Sequence, residues 1–167
     1  MKKLWILAIA VMFAGVASAQ NYMVVNTETV FKSIAAYNAA VEEINKEAEQ
    51  YQQNIDNAYA QLEEQYEAYM SQKASLSQYE RQQYEATILA NEQKIAEYQE
   101  SIFGNEGTIA KLQESKLEPH RKKVTATIEK YAADHGYSLV LDIATNPTVL
   151  YYGKDIDKTQ QIIELIK

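Results

Sequence analysis

Residues 41–72 read VEEINKEAEQYQQNIDNAYAQLEEQYEAYMSQ, and residues 79–112 read YERQQYEATILANEQKIAEYQESIFGNEGTIAKL. Around the first stretch, apolar residues recur every seven positions at Ile34, Val41, Ala48, Ile55, Leu62 and Tyr69. A second row sits three residues later at Tyr37, Ile44, Tyr51 and Ala58. The second stretch carries a matching pair of rows, Tyr84, Tyr98 and Leu112 beside Ile88, Ile95, Ile102 and Ile109. Reflection about the junction of Leu76 and Ser77 superposes them. Val41 then meets Leu112, Ile44 meets Ile109, Tyr51 meets Ile102, Ile55 meets Tyr98, Ala58 meets Ile95 and Tyr69 meets Tyr84, each pair of numbers summing to 153. A seven-residue apolar repeat marks helices packed along their length. A shared mirror point joins two of them antiparallel through a tight turn. The expectation is a helical hairpin over 37–118 with its tip at 71–78. The tip has no Gly or Pro, so it is expected to be a fraying helix end. At ~1.5 Å per residue the outgoing helix is roughly 55 Å long.

The seam has weak points. Gln65 is expected to face Ile88, Asn91 to face Leu62 and Asn105 to face Ala48. Polar and small seam residues reduce buried area and lower rigidity. Gly104 and Gly107 fall within one turn, and each glycine costs ~1 kcal/mol against Ala inside a helix. Pro119 lacks a backbone donor and should end or kink the returning helix. These three are the expected hinge of the arm.

Outward from the hairpin, Tyr22-Met23-Val24-Val25 reads as a buried strand. Asn26 or Thr27 can cap a helix that starts near Thr29 and runs on into the arm. On the other side, His135-Gly136 is a helix stop. Tyr137–Asp142 and Thr148–Tyr152 read as two strands split by Thr145-Asn146-Pro147. Asp157 with Gln160 resembles a capping box, opening a last helix with the apolar face Ile162, Ile163, Leu165 and Ile166. The fold class is therefore α+β, mostly α, with a long antiparallel coiled-coil hairpin inserted in a small β-rich body made of 20–36 and 119–167. A body that small has a marginal core, so the flanks should pack together and several chains should associate.

The first nineteen residues read as a secretory signal: Lys2-Lys3, an apolar run from Leu4 to Val16, and the small-x-small site Ala17-Ser18-Ala19. Cleavage after Ala19 and export to a bacterial periplasm are expected. The chain has no Cys, so no disulfide contributes to stability. Charge is uneven. From Asn38 to Glu118, six Lys or Arg stand against sixteen Asp or Glu, a net −10. So acidic an arm argues against nucleic acid and against anionic lipid surfaces.

Catalytic constellations are missing from the sequence. His120 and His135 have no second metal ligand at helical or turn spacing, and His120 lies beside Arg121, Lys122 and Lys123. There is no Gly-rich phosphate loop, nucleophile elbow or HExxH pattern. Neither an enzyme nor a cofactor is expected. Of the thirteen tyrosines, Tyr59, Tyr66 and Tyr79 fall off the seam rows and are candidates for contact with apolar chains.

Several segments carry a family resemblance. They are Tyr22–Asn26 with Val30-Phe31, then Gly136-Tyr137-Ser138-Leu139-Val140-Leu141-Asp142, then Val149–Tyr152, then Asp155-Ile156-Asp157-Lys158-Thr159. In order and spacing they resemble the OmpH/Skp family of periplasmic chaperones, across the whole chain after the signal. The resemblance implies a homotrimer joined through the short strands, with helical arms around a cavity that holds unfolded outer-membrane proteins without nucleotide. Met23, Val24, Val25, Leu139, Val140, Leu141, Val149 and Leu150 are then the expected oligomerisation residues. The best-known members of the family have basic arms and this arm is acidic, so apolar and tyrosine contacts with weak salt dependence are expected here. The alternative reading is a structural coiled-coil spacer or adaptor of the envelope.

Overall fold

The computed structural model describes residues 21–167. The expected signal and its cleavage position after Ala19 lie outside the described residues. The elements, in order, are β1 (Tyr22–Val25), α1 (Thr27–Lys32), α2 (Ala35–Gln72), α3 (Gln78–Phe103), α4 (Thr108–Asp134), β2 (Leu139–Asp142) and α5 (Thr159–Ile166). The chain divides into two compact units. One contains the described residues up to Ile34 with Lys123–Lys167, and the other is Ala35–Lys122.

In the first unit, β1 pairs with β2 in parallel, Tyr22 opposite Leu139 through Val25 opposite Asp142. Parallel neighbours cannot be joined by a tight turn and need a long crossover. Here the crossover contains the whole of the second unit. The other edge of β1 is also occupied: Val24 N donates to Ile156 O at 2.9 Å, and Lys158 N donates to Val24 O at 3.0 Å. A strand covered on both faces reads as a continuous apolar run, and Met23, Val24 and Val25 are fully buried. Around them pack Val30 of α1, Val124 and Ala132 of α4, and Ile162, Ile163 and Ile166 of α5.

Asn26 is the N-cap of α1, its Oδ1 accepting from Thr29 N at 2.9 Å. The helix does not run on into the hairpin as expected. Ser33 Oγ donates to Val30 O at 2.6 Å, and Ile34 N turns to Phe31 O instead. The chain tightens into a turn there, and the helix ends before Ala35. At the far end of α4, Gly136 has φ +71°, Gly136 N donates to Ala133 O and Tyr137 N to Ala132 O. That is the Schellman pattern, and the rings of Tyr131 and Tyr137 stack across it at 6.3 Å.

Residues 148–152 are not a strand. Asn146 Oδ1 accepts from Thr148 N and Oγ1, making a local turn. Both edges of β1 are already taken, and the segment forms no ladder on the outer edge of β2. Its Leu150 is 92% exposed and Tyr151 88%. The start of α5 also differs from the capping-box expectation. Asp157 Oδ1 accepts from Thr159 N and Oγ1, while Gln160 Nε2 donates to Glu164. Thr159 Oγ1 in turn accepts from Asn26 N at 2.9 Å. Leu165, expected on the apolar face, is 59% exposed.

In the second unit, the 38-residue α2 is about 57 Å long. Val41 with Leu112, Ile44 with Ile109 and Tyr51 with Ile102 all fall in one apolar cluster, as the mirror register requires. Tyr69 and Tyr84 stack at 5.7 Å. The tip is a built turn rather than a fraying end. Ser77 caps α3, its Oγ accepting from Glu80 N at 3.3 Å while Glu80 Oε2 accepts from Ser77 N at 2.7 Å.

The returning limb of the hairpin is two helices. α3 stops at Phe103, Gly104 is its C-cap, and Gly107 N donates to Gly104 O at 2.9 Å. Asn105 sits exposed in the break between the two helices. A Cβ at Gly107 would lie 2.6 Å from Ile102 O, and one at Gly104 would overlap the carbonyl of Glu100. Close backbone approach explains glycine at both places. Pro119 does not end the helix; it lies inside α4. Only one backbone bond is lost there, and buried Leu117 and Val124 fix the chain on either side.

Candidate functional site: the exposed face of the hairpin

Two helices can cover only a narrow strip of each other, so much of the hairpin's apolar surface stays in solvent. Ile44, Ile55, Tyr69, Ile95 and Ile102 are buried, but the seam tyrosines Tyr84 and Tyr98 remain about two-fifths exposed. The off-seam candidates Tyr59, Tyr66 and Tyr79 are all exposed, Tyr79 most of all. Sequence rows missed Met70, Leu89 and Phe103, which are exposed as well. Met70 was legible in principle, since it falls eleven residues after Tyr59, three helical turns along one face.

The middle of the seam is polar. Asn91 Nδ2 donates to Gln65 Oε1 at 2.9 Å, so these two seam residues meet each other. Beside them a cleft of about 240 Å³ opens, lined by Ala58, Gln61, Leu62, Gln65, Asn91, Lys94 and Ile95. Near the base, Lys116 Nζ pairs with Glu43 Oε1 at 2.6 Å, and the ring of Tyr37 meets that of His120 edge-on at 6.1 Å.

The tip is the best-tied part. The buried Tyr69 donates its hydroxyl to Glu85 Oε1 at 2.5 Å. Lys73 Nζ lies 3.3 Å from the same carboxylate and 5.0 Å above the Tyr69 ring. Burial and then the Glu85 bond push the Tyr69 phenol above its ordinary value, against an opposing pull from Lys73. The Tyr69 bond, reinforced by Lys73, holds Glu85 below the ordinary carboxylate range. Contact with Tyr69 and Glu85 raises Lys73. Arg81 Nε closes the turn on Leu76 O at 3.1 Å.

The expected oligomerisation residues separate by burial. Met23, Val24 and Val25 are spent inside the chain's own core, with no side-chain surface left for a neighbour. Val140, Leu141 and Val149 are half-buried, whereas Leu139 and Leu150 are exposed. Tyr22, opposite Leu139 across the strand pair, and Tyr151 add to that apolar surface.

Asp142, at the end of β2, is a tie that sequence reading did not single out. Its Oδ2 accepts from Thr27 Oγ1 at 2.6 Å, and its Oδ1 accepts from Thr27 N at 3.2 Å and Ala144 N at 3.0 Å. Burial pushes its carboxyl upward, but the Thr27 and Ala144 bonds outweigh it and hold it below the ordinary value. Among the described residues no group of three or more His, Asp or Glu is placed to hold a metal ion. His135 donates its Nδ1 proton to Tyr131 O at 2.8 Å and stacks on that ring at 4.0 Å. No described helix is long and apolar enough to cross a membrane.

These features define a class: an α+β protein in which a long helical hairpin, interposed between two parallel strands, carries its contact surface spread along the helices. The family described as Outer membrane protein (OmpH-like) matches residues 21–166, and the chain belongs to that family. It is a family of periplasmic proteins with chaperone-like function, not known as enzymatic. Comparison with curated proteins finds no match.

Proposed function

We propose that this protein is an ATP-independent holdase of the periplasm that keeps unfolded outer-membrane proteins from aggregating. Three copies, joined through their bodies, would hold a client between their hairpins. The observation that carries this reading is the exposed apolar surface of the hairpin unit, Tyr59, Tyr66, Met70, Tyr79, Leu89 and Phe103. It is spread over two helices among charged residues. A surface of that kind makes many weak contacts, and several hairpins in one assembly multiply them through effective concentration. The polar Gln65–Asn91 pair and the break at 104–107 favour an arm that adapts to its client over a rigid spacer. Exposed Leu139, Leu150 and Tyr151 supply the apolar surface for association of the bodies.

The test is dilution of a denatured β-barrel membrane protein into buffer with and without this protein, followed by light scattering. Suppression at a few-fold molar excess is the expected result. Unchanged aggregation refutes the holdase. Mass from multi-angle scattering checks the assembly separately: three chains are expected, and a stable monomer rules out the cage.

A further inference from the structure

Tyr59, Glu63, Tyr66, Glu67 and Met70 on α2 are linked by i, i+3 and i+4 spacings (59–63, 63–66, 63–67, 66–70 and 67–70), so they share one stripe roughly 100° wide. Tyr59, Tyr66 and Met70 are 41%, 51% and 48% exposed. Glu63 and Glu67 are exposed too, and neither has an ion-pair partner among the described residues. Two other carboxylates of the hairpin are neutralised, Glu43 by Lys116 and Glu85 by Lys73 with a bond from Tyr69. Along α2, eight acids stand against Lys46 as the one base. The stripe therefore presents open aromatic faces with unneutralised carboxylates one turn away.

We infer that this stripe is a docking face for cationic unfolded segments, chains that carry Arg or Lys among apolar residues. The inference rests on the holdase reading and names the client chemistry that this chain selects. A guanidinium can stack on the face of Tyr59 or Tyr66 while hydrogen-bonding Glu63 or Glu67, so one side chain meets both groups at once. An acidic segment gains the apolar contact but meets like charge. A second copy's hairpin is disfavoured as the occupant for the same reason, since each hairpin carries about −10 over 38–118. Binding of such segments is salt-sensitive, unlike the contacts expected from the tyrosines alone.

The probes are two unstructured peptides of ~20 residues with identical apolar and aromatic content, one carrying four Arg and the other four Glu at the same positions. Fluorescence anisotropy with the intact mature protein, at low and moderate salt, measures each. The Arg peptide should bind at least about tenfold more tightly at low salt, with the advantage shrinking several-fold as salt rises. Glu63→Gln with Glu67→Gln should remove most of that preference without changing the helical circular dichroism. Tyr59→Ser with Tyr66→Ser should weaken both peptides. Equal affinities, no binding of either peptide, or a preference that survives the double Gln variant each overturn the inference. A salt-sensitive gain in assembly mass in place of peptide binding would show a second copy as the occupant and overturn it as well. The barrel-protein aggregation assay on the same preparation separates the two readings. Suppression without peptide preference overturns this inference alone, and no suppression overturns the holdase.

Discussion

Removal of the Asp142 carboxylate should loosen the body where β2 meets the start of α1. The side chain accepts three hydrogen bonds, two from Thr27 at the first turn of α1 and one from Ala144 N. Asp142→Ala leaves all three donors to water. Loss of a helix N-terminal acceptor costs about 1 kcal/mol, and a bond to a charged acceptor is worth about 1.5–3 kcal/mol when buried. Asp142 is only partly buried, so solvent screening brings the expected total to roughly 1–2 kcal/mol. For a chain of this size that is a fall in Tm of about 3–6 °C. Asp142→Asn retains one acceptor oxygen and should lose about half as much. The sign with pH follows from the lowered carboxyl: its stabilisation is fully present above the ordinary value of 3.8 and disappears as pH falls through the folded value below it. Thermal melts by circular dichroism should therefore separate wild type from Asp142→Ala at pH 7, with the gap shrinking progressively as pH falls below 3.8. Equal Tm at pH 7, or an undiminished gap at low pH, would refute the reasoning.

Other expectations can be checked with the same purified protein. Ile162→Ala opens a cavity in the fully buried centre of the body and should cost about 3 kcal/mol, read as a shift in the urea midpoint. Gly107→Ala drives a Cβ into Ile102 O, so amide exchange should accelerate on both sides of the 104–107 break while the tip stays protected. Gln65→Leu with Asn91→Leu replaces the polar seam pair by apolar contact. Exchange in the middle of α2 and α3 should slow, and hold capacity for large clients should fall if adaptability matters.

The hairpin was legible because its signal is periodic. Seven-residue spacing and a mirror point depend only on how helices pack, and Tyr69 meets Tyr84 at the pairing the numbers gave. Gly136 as a stop and the apolar run of β1 were legible for the same local reason. The failures were decided by local turns and by packing. Ser33 and Ile34 close a turn that ends a helix their neighbours' propensity would continue. Pro119 sits inside α4 because packing on both sides outweighs one lost bond. The Thr148–Tyr152 segment has strand-like residues, but Asn146 Oδ1 draws its start into a turn and it joins no ladder. Of the contact surface, Tyr59, Tyr66 and Tyr79 were visible as aromatics off the seam. Leu89 and Phe103 look like core residues until the narrowness of two-helix burial is seen.

Composition and periodicity alone determined that this chain has a long acidic helical hairpin, because charge and heptad spacing are properties of the sequence itself. Only the tertiary structure decided that β1 and β2 run parallel, since register requires both strands in place. It also decided that Met23, Val24 and Val25 are enclosed by their own chain while Leu139, Leu150 and Tyr151 are left outside. Burial is a relation between distant segments, and similar apolar residues at both sets of positions give the sequence no means to tell them apart.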